Sequence, residues 1–253
     1  MTKIQSYPTV ANLNDAVVTA IVDKASAAIR QHGGFHIALA GGGTPKSIYE
    51  LMATEPYRQQ LPWSSIHIYF GDERCVPADH PDSNYRMAKQ ALLGKVPLPE
   101  GNIHPIKIDL NNIPNSAERY EAELKETVPV KEGVPVFDLV LLGIGDDGHT
   151  ASLFPGTDIV EETGKWVAAV YVQKFNAWRI SLTYPVINAA ANVFVIAAGS
   201  GKQHILKQVL ASEPIGEPYP IQRVRPSGEL VWYIDSAAAE LLPQAMIAQQ
   251  SFT

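Results

Sequence analysis

The chain has 253 residues, 46% hydrophobic and 18% charged, which excludes global disorder and fits one large domain or two small ones. Twenty Lys and Arg against 26 Asp and Glu give a net charge of −6. That balance disfavours nucleic-acid partners yet leaves room for a local basic pocket that takes a small phosphate. The opening Met1 to Pro8 stretch has no apolar signal core, and the longest apolar runs are far below the roughly 18 residues of a membrane span. A single cysteine, Cys75, permits no intrachain disulfide and points to a reducing, cytoplasmic setting.

In chain order, apolar residues from Ala16 to Ile29 recur at helical spacing, with Asn14 or Asp15 as the expected cap and Gly33-Gly34 as the stop. His36 to Ala40 is a short apolar strand running into Gly41-Gly42-Gly43-Thr44-Pro45, and Ser47 to Ala53 is helical. Ile66 to Phe70 is a strand that ends at Gly71-Asp72-Glu73-Arg74. Helices are expected over Asn84 to Leu93 and Ser116 to Glu126. Phe137 to Gly145 is apolar throughout, the pattern of a strand buried on both faces. Arg179 to Thr183 and Val193 to Ala198 are further strands, and Gly199-Ser200-Gly201 opens a helix to Ala211. Leu230 to Ile234 is the last strand, followed by Asp235-Ser236 as the cap of an Ala-rich helix. No segment has the composition of a linker, so residues 1–253 are expected to form a single α/β domain: a mainly parallel sheet with helices on both faces.

In such sheets ligands collect at the carboxyl ends of the strands. Four strand ends here supply glycines beside charged or hydroxyl groups: Gly41 to Thr44, Gly71 to Arg74, Gly145 to Thr150 and Gly199 to Lys202. In the first, Gly42 and Gly43 let the backbone turn, Thr44 can cap the helix and Pro45 suits its first position, leaving free N–H groups for an anion. It is no dinucleotide fingerprint, because Lys46 stands where the third glycine belongs. Lys202 follows a glycine-flanked turn, but Ile196 and Gln203 break the P-loop pattern, so it is either a phosphate-binding charge or a solvated one. Arg74 carries a planar fork for phosphate or carboxylate, or else pairs with Asp72 or Glu73. Arg179 either points into the same cleft or is an edge charge. His149, two residues past Asp147 in the loop after the most buried strand, can exchange a proton with water near neutral pH, and a nearby carboxylate can orient its ring. The other six histidines read as structural or solvated. No G-x-S-x-G elbow and no metal-ligand spacing occurs.

Ala40 to Pro45, Gly71 to Arg74, Asp82-Ser83-Asn84-Tyr85, and Leu142 to Gly156 with its Asp147-Gly148-His149-Thr150-Ala151-Ser152-Leu153-Phe154-Pro155 core together resemble the 6-phosphogluconolactonase family. Arg179 to Asn188 and Gly199 to Lys202 extend the resemblance over most of the chain. It implies a Rossmann-like α/β fold and hydrolysis of 6-phospho-glucono-1,5-lactone to 6-phosphogluconate, with no metal and no cofactor. It further implies His149 as acid and base, Asp147 as its partner, and Arg74 with Lys202 as phosphate ligands beside the Gly42, Gly43 and Thr44 backbone. The expected partner is a small sugar-phosphate lactone, bound by a monomer or homodimer. One departure is visible: the family pattern has prolines between the Lys and Arg that precede the Ile-Ser-Leu-Thr strand, whereas this chain has Lys174-Phe175-Asn176-Ala177-Trp178-Arg179. The related glucosamine-6-phosphate deaminases have an Asn-Glu pair where this chain has Leu153-Phe154, which favours hydrolysis over isomerisation. A sugar-phosphate sensor without catalysis is the alternative of a different class.

Overall fold

The computed structural model describes residues 2–212 and 216–249, and it places the apolar Leu139–Leu142 segment, buried at every position, inside a parallel sheet. The sequence also offers the Pro-rich stretch from Pro214 to Pro226 as a short connection, and Pro214 lies outside the described residues. In chain order the elements begin β1 (Thr2–Tyr7), α1 (Val10–His32), β2 (Phe35–Leu39), α2 (Gly43–Met52), α3 (Tyr57–Gln60), β3 (Ile66–Phe70) and β4 (Asp72–Arg74). They continue with α4 (Asn84–Ala88), α5 (Ile113–Thr127), a small hairpin of β5 (Val130–Lys131) and β6 (Val134–Pro135), and β7 (Leu139–Leu142). The last part holds β8 (Val167–Val172), β9 (Ala177–Leu182), α6 (Tyr184–Ala189), β10 (Asn192–Ala197), α7 (Gln203–Leu206), β11 (Glu229–Asp235), α8 (Ser236–Ala239) and β12 (Ala248–Gln249).

The main sheet has the order β12-β1-β11-β10-β7-β2-β3, with every pairing parallel. From β1 the chain crosses to β2 and on to β3, then returns through β7, β10 and β11. Crossovers between parallel strands are right-handed, so α1 and α2 cover one face while α5, α6 and α7 cover the other. β2 and β7 are neighbours whose following segments leave in opposite directions. That divergence opens a crevice at their carboxyl ends, and it fixes where a ligand can enter.

Local chemistry shifts several expected boundaries. The cap of α1 lies five or six residues before the expected Asn14 or Asp15: Thr9 accepts from the Asn12 N–H, and Asn14 and Asp15 lie inside the helix. Gly33 stops it, at a φ of 88° that favours glycine. Gly42, at φ 105°, turns the chain from strand into helix, so α2 begins at Gly43; Thr44 and Pro45 are its second and third residues, and Thr44 caps nothing. Asp235 does cap α8, accepting from the Ala238 N–H at 3.0 Å. The expected strand at Arg179 to Thr183 is β9, but it belongs to a second, antiparallel sheet of order β4-β9-β8 that packs against α5. Gly71 is the reason: its N–H bonds the Leu39 carbonyl of the main sheet while its own carbonyl accepts from the Leu182 N–H, peeling β4 away from β3. No helix among the described residues is long and apolar enough to cross a membrane.

Candidate active site

The loop leaving β7 carries both His149 and Asp147. Gly148, at φ 74°, and backbone bonds from Gly148 N–H to Gly145 O (3.0 Å) and Gly145 N–H to His149 O (2.9 Å) coil this loop into a tight turn. A Cβ on Gly145 would lie 2.0 Å from the imidazole of His149, so only glycine leaves room for the ring. Thr150 anchors the far side by donating to the Gly143 carbonyl at 2.8 Å. The His149 imidazole then stacks on Phe154, with ring centroids 4.0 Å apart.

His149 Nδ1 donates to Asp147 Oδ1 at 2.5 Å, and Asp147 Oδ2 accepts from Lys174 Nζ at 2.8 Å. Burial opposes the charge on Asp147, but the Lys174 and His149 hydrogen bonds outweigh it and hold its carboxyl down at about 2. With Nδ1 committed, Nε2 has no protein partner among the described residues, and His149 lines a cleft of about 460 Å³ at the carboxyl ends of β2, β3 and β7. An imidazole so arranged can accept a proton at Nε2 while Asp147 supports the cation.

The other walls carry the cations. Arg74, on β4, donates to the Asp82 carbonyl at 2.8 Å, and Lys202 donates to Asp146 Oδ1 at 2.6 Å. β4 is pinned by the buried Glu73, which accepts from the N–H groups of Arg74 (2.7 Å), Asn84 (2.7 Å) and Tyr85 (2.8 Å) and from the Ser83 hydroxyl (3.1 Å). Burial pushes the Glu73 carboxyl up, opposed by those N–H donors. Asn84 in turn lies against Gly41, where a Cβ would come within 2.1 Å of its Oδ1. Asp72, in the cleft wall, is tied by the Ser152 hydroxyl at 2.7 Å and by Asn84. Among the lining residues, the cations Arg74, Lys174 and Lys202 outnumber the acids Asp72 and Asp146, despite the net negative chain. Burial pushes the Cys75 thiol up to about 12, so no thiolate is available beside Arg74.

The structure thus brings together His149, Asp147, Gly42, Arg74 and Lys202. Gly43 and Thr44 form the first turn of α2 just outside the lining. Arg179 also lies outside it: the cross-strand partner of Arg74 on β9, it packs over Phe175 with 5.8 Å from guanidinium to ring centroid. Burial and then the neighbouring Arg74 lower its basicity. Sequence reasoning missed the role of Lys174, 27 residues beyond Asp147; only its charge and its place before β9 could have drawn attention to it. It also missed Phe154 as the imidazole's support and Asp146 as the partner of Lys202.

Residues 8–232 match the family model described as glucosamine-6-phosphate isomerases/6-phosphogluconolactonase. The chain is 42% identical to 6-phosphogluconolactonase of Synechocystis over 91% of this chain and 94% of that protein. It is 45% identical to 6-phosphogluconolactonase of Nostoc over 87% and 90% of the two. Among solved structures, 6-phosphogluconolactonase from Trypanosoma brucei superposes with a TM-score of 0.85 at 31% identity, covering 96% of this chain and 99% of the other.

Proposed function

The chain belongs to the glucosamine-6-phosphate isomerase/6-phosphogluconolactonase family, and from that premise we propose that it hydrolyses 6-phospho-D-glucono-1,5-lactone to 6-phosphogluconate. The observation that carries this is that His149, bonded to Asp147, lines one cleft together with the cations Arg74 and Lys202. In this scheme the substrate phosphate is held by Arg74, Lys202 and the N–H groups of Gly42, Gly43 and Thr44 at the start of α2, with Arg179 adding positive charge behind Arg74. The lactone carbonyl then lies near His149. Nε2 takes a proton from water as the water oxygen attacks C1, and the bond from C1 to the ring oxygen breaks as the imidazolium returns the proton to it. Asp147 stabilises the imidazolium between the two transfers. General-base help of this kind is worth about 10²–10⁴-fold, or roughly 3–5 kcal/mol, in proportion to a lactone that already opens slowly in water. The scheme needs neither metal nor cofactor, and it operates in a single domain of residues 1–253 in the cytoplasm, within the pentose phosphate pathway.

Phe154 supports hydrolysis over isomerisation. It occupies the position of the deaminase glutamate and lays an apolar ring on His149, leaving no second carboxylate there. The test is direct: lactone generated in place from glucose-6-phosphate by its dehydrogenase should decay much faster with the protein present. Unchanged decay would support the sensor alternative, and ammonia release from glucosamine-6-phosphate would support the deaminase.

A further inference from the structure

Lys174 is placed to act on the imidazole through its partner. It sits in the turn that joins β8 to β9, and its Nζ takes Asp147 Oδ2 while His149 Nδ1 takes Oδ1. Both oxygens of one carboxylate are therefore held by different donors. The next residue, Phe175, meets Phe154 edge-on at 5.7 Å, and Phe154 is the ring that supports His149. One short turn thus braces the imidazole twice, through a carboxylate and through an aromatic stack. A carboxylate bonded at one oxygen only is free to swing about its broad terminal torsion; a charge-assisted bond at the second oxygen removes that freedom.

Resting on the lactone-hydrolysis reading above, we infer that Lys174 is a positioning residue of the reaction: it fixes the Asp147 carboxylate so that Oδ1 meets Nδ1 and the imidazole keeps Nε2 bare toward the attacking water. The charged groups around this carboxylate are few. Asp146 adjoins it and is itself engaged by Lys202, Arg179 stands over Phe175, and Asp158 lines the outer groove shared by Asp147 and Lys174. Lys174 is therefore the only cation bonded directly to Asp147 among the described residues, with half of its side chain in solvent, and its substitution leaves the core untouched.

The experiment compares wild type, Lys174→Met and Lys174→Arg in lactone hydrolysis across pH, together with the ¹⁵N signals of the His149 ring without substrate. Lys174→Met should lose about tenfold in kcat with KM within twofold. Its acid limb should move to higher pH, because loss of the ammonium makes the His149–Asp147 pair hold its proton more tightly. Lys174→Arg should restore most of the rate. The ring of wild type and Lys174→Arg should show a protonated Nδ1 and bare Nε2, and that of Lys174→Met a mixture of tautomers. Wild-type kcat and pH profile in Lys174→Met would overturn the inference, as would a loss confined to KM, which would make Lys174 a substrate ligand. If wild type fails to accelerate lactone opening while the ring signal still follows Lys174, the hydrolysis reading falls and the positioning role stands.

Discussion

A single histidine and a row of histidines sit at opposite ends of the same parallel sheet, and both ends involve carboxylates. At the carboxyl end, His149 bonds Asp147 and turns its second nitrogen to an open cleft. At the amino end, His36 and His67 are register partners on β2 and β3 with rings stacked 4.9 Å apart, and His67 reaches His104 at 3.5 Å. Asp138 accepts from His32 (2.9 Å) and His36 (3.4 Å), and Glu123 accepts from His104 (2.9 Å). Burial, and then the charges of His36 and His104, lower the basicity of His67. A histidine–carboxylate pair therefore does not define chemistry. What sets His149 apart is its place at a strand's carboxyl end and a second nitrogen without a partner beside a cleft, whereas the amino-end row packs ring on ring.

Four substitutions sharpen that contrast. Gly145→Ala should be the most damaging, because its Cβ displaces the His149 ring: kcat for the lactone should fall by 10²-fold or more while the circular dichroism spectrum stays native. Arg74→Ala should raise KM and weaken inhibition by inorganic phosphate by about 10–100-fold, the loss of one charge-assisted contact of roughly 1.5–3 kcal/mol, with kcat little changed. His67→Phe should leave activity alone and change the acid stability. The native state holds His67 with lowered proton affinity, so the unfolded chain binds more protons there. Its contribution is complete above the unfolded value of about 6.5 and is lost as pH falls through the depressed native value. Wild type should then lose a few degrees more in Tm between pH 7 and pH 5 than the variant does. Asp146→Asn should be mildest: freeing Lys202 from an exposed partner should improve phosphate binding by about two- to fivefold, read by isothermal titration.

The cleft was legible in the sequence because its makers are local. Glycine loops at Gly41 and Gly145 directly follow short apolar strands, and the alternation of strand and helix predicts a parallel sheet with its ligands at the carboxyl ends. β1 escaped notice since Thr2–Tyr7 is mostly polar and its partner Leu230–Asp235 lies more than 220 residues away. The second sheet was hidden for a similar reason. Nothing local to Ala177–Leu182 says that it pairs antiparallel with Asp72–Arg74; that follows from Gly71 bonding two sheets at once. Lys174 needed the fold, because its contact with Asp147 depends on where the β8–β9 turn docks. Arg179 shows the limit from the other side: a charge that reads as a candidate for the cleft is the third residue of β9 and packs over Phe175, outside the lining.

The central claim is that His149, alone among the histidines, moves the proton. The most direct measurement is the rate of lactone opening by His149→Ala beside wild type and His67→Phe at equal concentration and neutral pH. The account predicts that His149→Ala loses two to four decades in kcat with an unchanged Tm, while His67→Phe keeps the wild-type rate. A His149→Ala enzyme that turned over like wild type would contradict it.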